Sequence, residues 1–165
     1  RTTDNSKATK QKYGNLLDNL IVMPVLVCKG GNVDEENLQD FIKNYSSPVM
    51  SFSFIREDYP ILRKIKNLQE MGYRIWFNSL WDTFNAGHDD ELAVTDPDNS
   101  YGWLINHGAN IIFSDNPILL KKYLIKINRW WYEKNLPVIF GFGLFENIYL
   151  CLKRLPQPGE NLKVT

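Results

Sequence analysis

Cysteine and histidine are scarce in this 165-residue chain, with two of each. Cys28 and Cys151 stand far apart in apolar settings, which argues for buried thiols and against a disulfide framework or a cysteine metal knuckle. Net charge is also missing, since 19 basic residues balance 19 acidic ones. That balance excludes the broad attraction on which nucleic-acid or anionic-membrane binding depends. No apolar run reaches the roughly twenty residues of a spanning helix, because residues 136 to 152 fall short and contain Glu146 and Asn147. There is no GxSxG elbow, no phosphate-binding glycine loop, no HExxH and no CxxC pair. The chain therefore carries no self-sufficient catalytic signature. It starts at Arg1 in a polar run without a basic and apolar signal segment, so it is expected to be part of a longer gene product.

What is present is alternation. Four short runs, at residues 20 to 27, 48 to 54, 73 to 78 and 109 to 114, are almost continuously apolar, as strands covered on both faces are. Helical stretches lie between them. One follows Val33 with acidic residues in its first turn, and a second places Ile61, Leu62, Ile65 and Leu68 on one face before a stop at Gly72. A third covers SYGWLINH, and a fourth starts at Pro117. Strand and helix alternating four times predict an α/β fold with parallel strands, either a (β/α) barrel or a small open sheet. Units of roughly thirty residues, four in number, would make half of a TIM-type barrel. Half a barrel leaves two sheet edges to be covered by further chain, a partner or self-association. Residues 1 to 19 read as a polar lead-in, 20 to 127 as the strand and helix units, and 128 to 165 as an irregular apolar tail that packs on the barrel or a partner.

Ligands in parallel α/β folds sit at the carboxyl ends of strands. Asn78, Trp81 and Asp115 fall there as candidate rim residues. Asn78 offers an amide to a ligand or a tie for its own loop, and Trp81 an apolar wall or a core side chain. Asp115, in SDNP, reads as the N-cap of the last helix or as a group facing the pocket. His88, Asp89, Asp90 and Glu91 form a tempting cluster, but adjacent loop residues do not converge without a turn that aims them, so a solvated loop is expected. DPDNSYG fails as a calcium loop, with Tyr101 where Gly is required and His107 where a bidentate Glu is required. Asp98, Asn99 or Ser100 is expected to cap the helix that follows, and His107 to sit at its end as a favourable charge or a structural side chain.

The stretch from Met71 onward carries an Asn at a strand end, a variable loop, then Trp103, Leu104 and Ile105, then Gly108, Ala109 and Asn110, and a strand closing in SDNPILLKKYL. It resembles the carboxyl-terminal part of the glycerophosphodiester phosphodiesterase family, with the resemblance running from about Leu20 to Leu124. The resemblance implies the last four units of a (β/α) barrel. It also implies metal-assisted hydrolysis of glycerophosphodiesters to an alcohol and glycerol 3-phosphate. The family's His-Arg pair, Glu-x-Asp and second His have no counterpart in this chain, so neither a catalytic residue nor a metal ligand is carried over. A divalent cation, Ca²⁺ or Mg²⁺, is implied for the full-length protein and not for this chain alone. Many such enzymes act on lipid-derived diesters outside the cytoplasm, periplasmic or secreted, and that setting is the expectation here. A non-catalytic binding or scaffold module built on a partial barrel is the alternative.

Overall fold

The computed structural model describes residues 1–129 and the strand Ile148–Cys151. It is an α/β fold. Strands β1 (Val25–Val27), β2 (Val49–Ser53), β3 (Arg74–Asn78) and β4 (Ile111–Ser114) are parallel and lie side by side in chain order. A fifth strand, β5 (Ile148–Cys151), runs antiparallel along the outer edge of β4 and pairs with all four of its residues. The remainder of the apolar tail, residues 130–147 and 152–165, lies outside the described residues.

The first strand is shorter than its apolar run. Pro24 has no N–H to give, and Thr2 takes the outer side of this segment, donating to the Met23 carbonyl and accepting from the Val25 amide. Leu20 and Ile21 stay exposed in front of it. The polar lead-in forms α1 (Ser6–Tyr13), capped by Asn5, whose Oδ1 accepts the Ala8 amide. Asp40 fastens this helix to the next one by accepting the amide and hydroxyl of Ser6 at 2.7 and 2.6 Å.

Helix α2 (Asn32–Asn44) turns Leu38 and Phe41 inward. Its first-turn Asp34 is buried and bends back to accept the Lys29 and Gly30 amides at 2.9 and 2.8 Å, closing the turn after β1. The second helical stretch is split. Pro60 opens a 3-10 turn, Pro60–Lys64, that passes into α3 (Ile65–Glu70), so Ile61, Ile65 and Leu68 still reach the core from one side. Gly72, at φ 95°, lets the chain leave that helix and enter β3. After β3 come α4 (Asp90–Thr95), a π-helical turn Asp98–Gly102, α5 (Trp103–Asn106), β4 and α6 (Pro117–Lys126).

Helices α2 to α6 share one face of the sheet. Leu26, Met50, Phe52, Ile75, Phe77 and Ile112 alternate toward it and form one cluster with Leu38, Phe41, Ile65, Leu68, Leu104, Leu120 and Leu124. Phe77 is its centre, meeting Phe52 and Phe54 edge to face at 6.4 and 5.5 Å. Val25, Ser51, Trp76 and Ile111 are in register on the opposite face. Strand order 1-2-3-4 contains no reversal, so the topological switch point of a doubly wound sheet is absent from these four strands. Among the described residues, no helix is long and apolar enough to cross a membrane.

Candidate functional site at the carboxyl ends of β3 and β4

Two buried strands end on serine, Ser79 just past β3 and Ser114 at the end of β4, and a single carboxylate joins them. Asp90 Oδ1 accepts Tyr101 Oη at 2.7 Å, Ser114 Oγ at 2.8 Å and Ser79 Oγ at 2.9 Å, while Oδ2 accepts the Asp115 amide at 2.8 Å. The Asp90 amide in turn donates to the Ser79 carbonyl at 2.7 Å. Asp90, Ser79, Tyr101 and Ser114 are all buried. A buried carboxylate is tolerated when its lone pairs are filled, and here α4, the π-helical turn and both strand ends converge to fill them.

This overturns the solvated-loop reading of His88 to Glu91 for two of its members. His88 and Asp90 are buried, Asp89 caps α4 by accepting the Leu92 amide, and Glu91 faces solvent. The aiming turn is Gly87, His88 and Asp89, fixed by the bridge between Phe54 and Asn85. His88 Nε2 meets Glu57 Oε1 at 2.9 Å and its Nδ1 meets the Asn99 carbonyl. Its ring lies on Trp103 at 3.9 Å and 10° between planes, and His107 covers the other indole face at 3.6 Å and 15°. His107 stands at the end of α5 with Nδ1 donating to the Trp103 carbonyl at 2.8 Å, as a structural histidine at a helix end.

The rim residues fall as follows. Asn78 is buried and its Oδ1 accepts the Leu80 amide at 2.9 Å, which ties its own loop. Trp81 is 58% exposed and set edge to face against Phe84, outside the core. Asp115 is not the cap of α6. Asn116 is, through Oδ1 and the Leu119 amide, because Pro117 already occupies the first helical position. Asn116→Ala is expected to lower stability by about 1 kcal/mol in urea titrations. The helix before β4 likewise starts earlier than expected. Asp96, and not Asp98, Asn99 or Ser100, holds its first turn by accepting the Asn99 amide at 3.1 Å. Asp98 instead accepts Tyr123 Oη at 2.8 Å, and Ser100 donates to the Asp89 carbonyl at 2.6 Å.

Asp115 is exposed, and its carboxyl is pushed up to about 6, first by a hydrogen bond to the Asp90 carboxylate and then by desolvation and the Asp90 charge. An acid raised in the folded state binds its proton more tightly there than in the unfolded chain, so its ionisation opposes folding. That penalty is absent below the ordinary value of 3.8 and grows as pH rises through about 6. Asp115→Asn is therefore expected to flatten the stability profile between those two values, raising stability at neutral pH and leaving it unchanged in acid. Thermal melts across that range check it.

Asp90 was the residue least visible beforehand as a structural centre. The signal was in the two strand-end serines, which a buried acceptor between them explains. Among the described residues no group of three or more His, Cys, Asp and Glu is placed to hold a metal ion. No curated protein matches the sequence. Residues 22–124 match the family model DUF4996, a domain of unknown function. That span holds the four parallel strands and the carboxylate hub between β3 and β4, covers more than half of the chain, and makes this protein a member of the DUF4996 family.

Proposed function

We propose that the chain is the later part of a (β/α) barrel whose intact form hydrolyses glycerophosphodiesters to an alcohol and glycerol 3-phosphate. The observation that carries this reading is the winding: four parallel strands in chain order with every crossover helix on one face. Such an arc is what a ring of (β/α) units contains, and its strand carboxyl ends form the side where barrels bind substrate. Asn78, Trp81 and Asp115 then stand on the rim, with the exposed indole of Trp81 facing the apolar part of a small diester and the neighbouring loops shaping its polar part. The sequence features from Met71 to Leu124 support the same family.

The described residues do not compose the cation site that this chemistry employs. Asp90 has its oxygens filled by four donors, and Asp115 is paired with it. In this reading the Ca²⁺ or Mg²⁺, the acid and the base come from chain or partner beyond them, and the present residues position the rim.

A second reading has its own support. β5 occupies the outer edge of β4 in the antiparallel sense, the edge a closing ring would pair in parallel. A sheet finished in this way suits a binding or scaffold module. Release of glycerol 3-phosphate from glycerophosphocholine with added Ca²⁺ or Mg²⁺ separates the two, with the intact gene product and this chain assayed side by side. Turnover by the intact product alone is expected. Turnover by this chain alone would place the chemistry within it, and an inert intact product would favour the module.

A further inference from the structure

Both histidines of the chain press on one indole, and the hydrogen-bond partners of His88 put a condition on its proton count. Nδ1 faces the Asn99 carbonyl and Nε2 faces the Glu57 carboxylate at 2.9 Å. Both partners are acceptors only. A neutral imidazole has one N–H, so whichever tautomer it takes, one nitrogen lone pair is left pointing at an oxygen. The imidazolium has two N–H groups and makes both bonds.

We propose that His88 is an acid-closed latch, which as imidazolium ties the loop after β2 to the turn before α5 and on losing its proton lets Glu57 go. The groups facing it from each neighbouring element fit this role. From the β2 loop comes Glu57, whose side chain is 56% exposed and so free to swing into solvent once released. From the π-helical turn comes the Asn99 carbonyl, and from α5 the face of Trp103, on which a cationic ring gains a further attraction. At the start of α4, Asp89 is engaged with the Leu92 amide and Asp90 with its four donors, so neither competes for the imidazolium. His107 is the other titratable group, and it is held off by the thickness of the indole between the two rings. The latch sits at the mouth of the strand-end face. Glu57 follows β2, and the bridge between Phe54 and Asn85 joins that loop to the one carrying Trp81. Opening changes access to the rim by a proton leaving for solvent, with no other chemistry, and it does not depend on which reading of the barrel holds.

The test is NMR on the full chain labelled with ¹⁵N, following both histidine rings and the amides of residues 55 to 59 from about pH 5 to about pH 8. At the acid end His88 is expected to carry protons on both ring nitrogens, and as pH rises the loop amides are expected to shift in step with its loss of one. Glu57→Gln provides the control. A glutamine amide can donate to a neutral ring nitrogen, so this variant is expected to keep its loop amides at their acid positions throughout. A His88 ring with a single proton across the whole range would overturn the proposal. So would loop amides that move independently of His88, or that move equally in Glu57→Gln.

Discussion

Asp90→Ala is expected to lower folding stability by about 3–5 kcal/mol, roughly 10 °C in melting temperature for a chain of this size. The reason is the loss of one acceptor from four donors at once. Tyr101 Oη would keep only Ser114 Oγ at 3.4 Å, Ser114 Oγ would keep that contact and the Asn116 amide it accepts at 3.0 Å, and the Asp115 amide would have no acceptor in place of Asp90. Ser79 fares better, because its hydroxyl also reaches the Phe113 carbonyl at 3.0 Å. Removing a buried charge returns some of its desolvation cost, which keeps the expected loss below the sum of four separate bonds. Asp90→Asn is expected to lose less, since the retained oxygen still accepts the hydroxyls while the new amide opposes the Asp115 N–H. Urea denaturation of the three proteins checks the order. A loss under about 1 kcal/mol for Asp90→Ala would show that water replaces the carboxylate without cost and that the two strand ends do not depend on it. The same variant should bring the Asp115 carboxyl back toward 3.8, because the hydrogen bond to Asp90 that does most to raise it is gone.

Gly108→Ala is expected to cost about 2–5 kcal/mol, from two independent sources. The residue sits at φ 101°, where an L side chain is strained. A Cβ built there would also lie 2.5 Å from Ile65 Cγ2, inside the core, and 3.2 Å from Gln69 Oε1. Gln69 cannot yield freely, because its Nε2 donates to the Gly108 carbonyl at 3.0 Å and lies 3.2 Å from Asn110 Oδ1. Asn110 in turn fixes the register of β3 by accepting the Ile75 amide at 2.9 Å. A strained Gly108 is therefore expected to loosen the β3 and β4 pairing as well as α3. Hydrogen exchange should show faster loss of protection at Ile75 and Asn110 than at the amides of β1 and β2. Equal loss everywhere would mean that the damage is purely global.

These two sites differ in how far the sequence announced them. Gly108 follows a helix end and precedes an apolar run, but the closeness of Ile65 that bars a side chain there was not legible. The parallel α/β arrangement was legible. Continuous apolar runs such as Ile111, Ile112 and Phe113 report strands buried on both faces, and the spacing of Ile61, Ile65 and Leu68 reports a helix facing them. Local breaks were less so. Pro24 shortened the first strand and Pro60 introduced a 3-10 turn, because a missing N–H acts through partners that the sequence does not name.

What the sequence determined by itself is therefore periodic: which stretches alternate as strand and helix, and which side chains are apolar enough to be inside. Local hydrophobic spacing decides those, and it is written in consecutive letters. Only the tertiary structure decided that Asp90 joins two strand ends, that His88 bridges Glu57 and Asn99 over Trp103, and that Asn116 and not Asp115 caps the last helix. Each of those depends on donors and acceptors brought within about 3 Å from distant parts of the chain. A polar side chain reads as solvated until the fold supplies its partners.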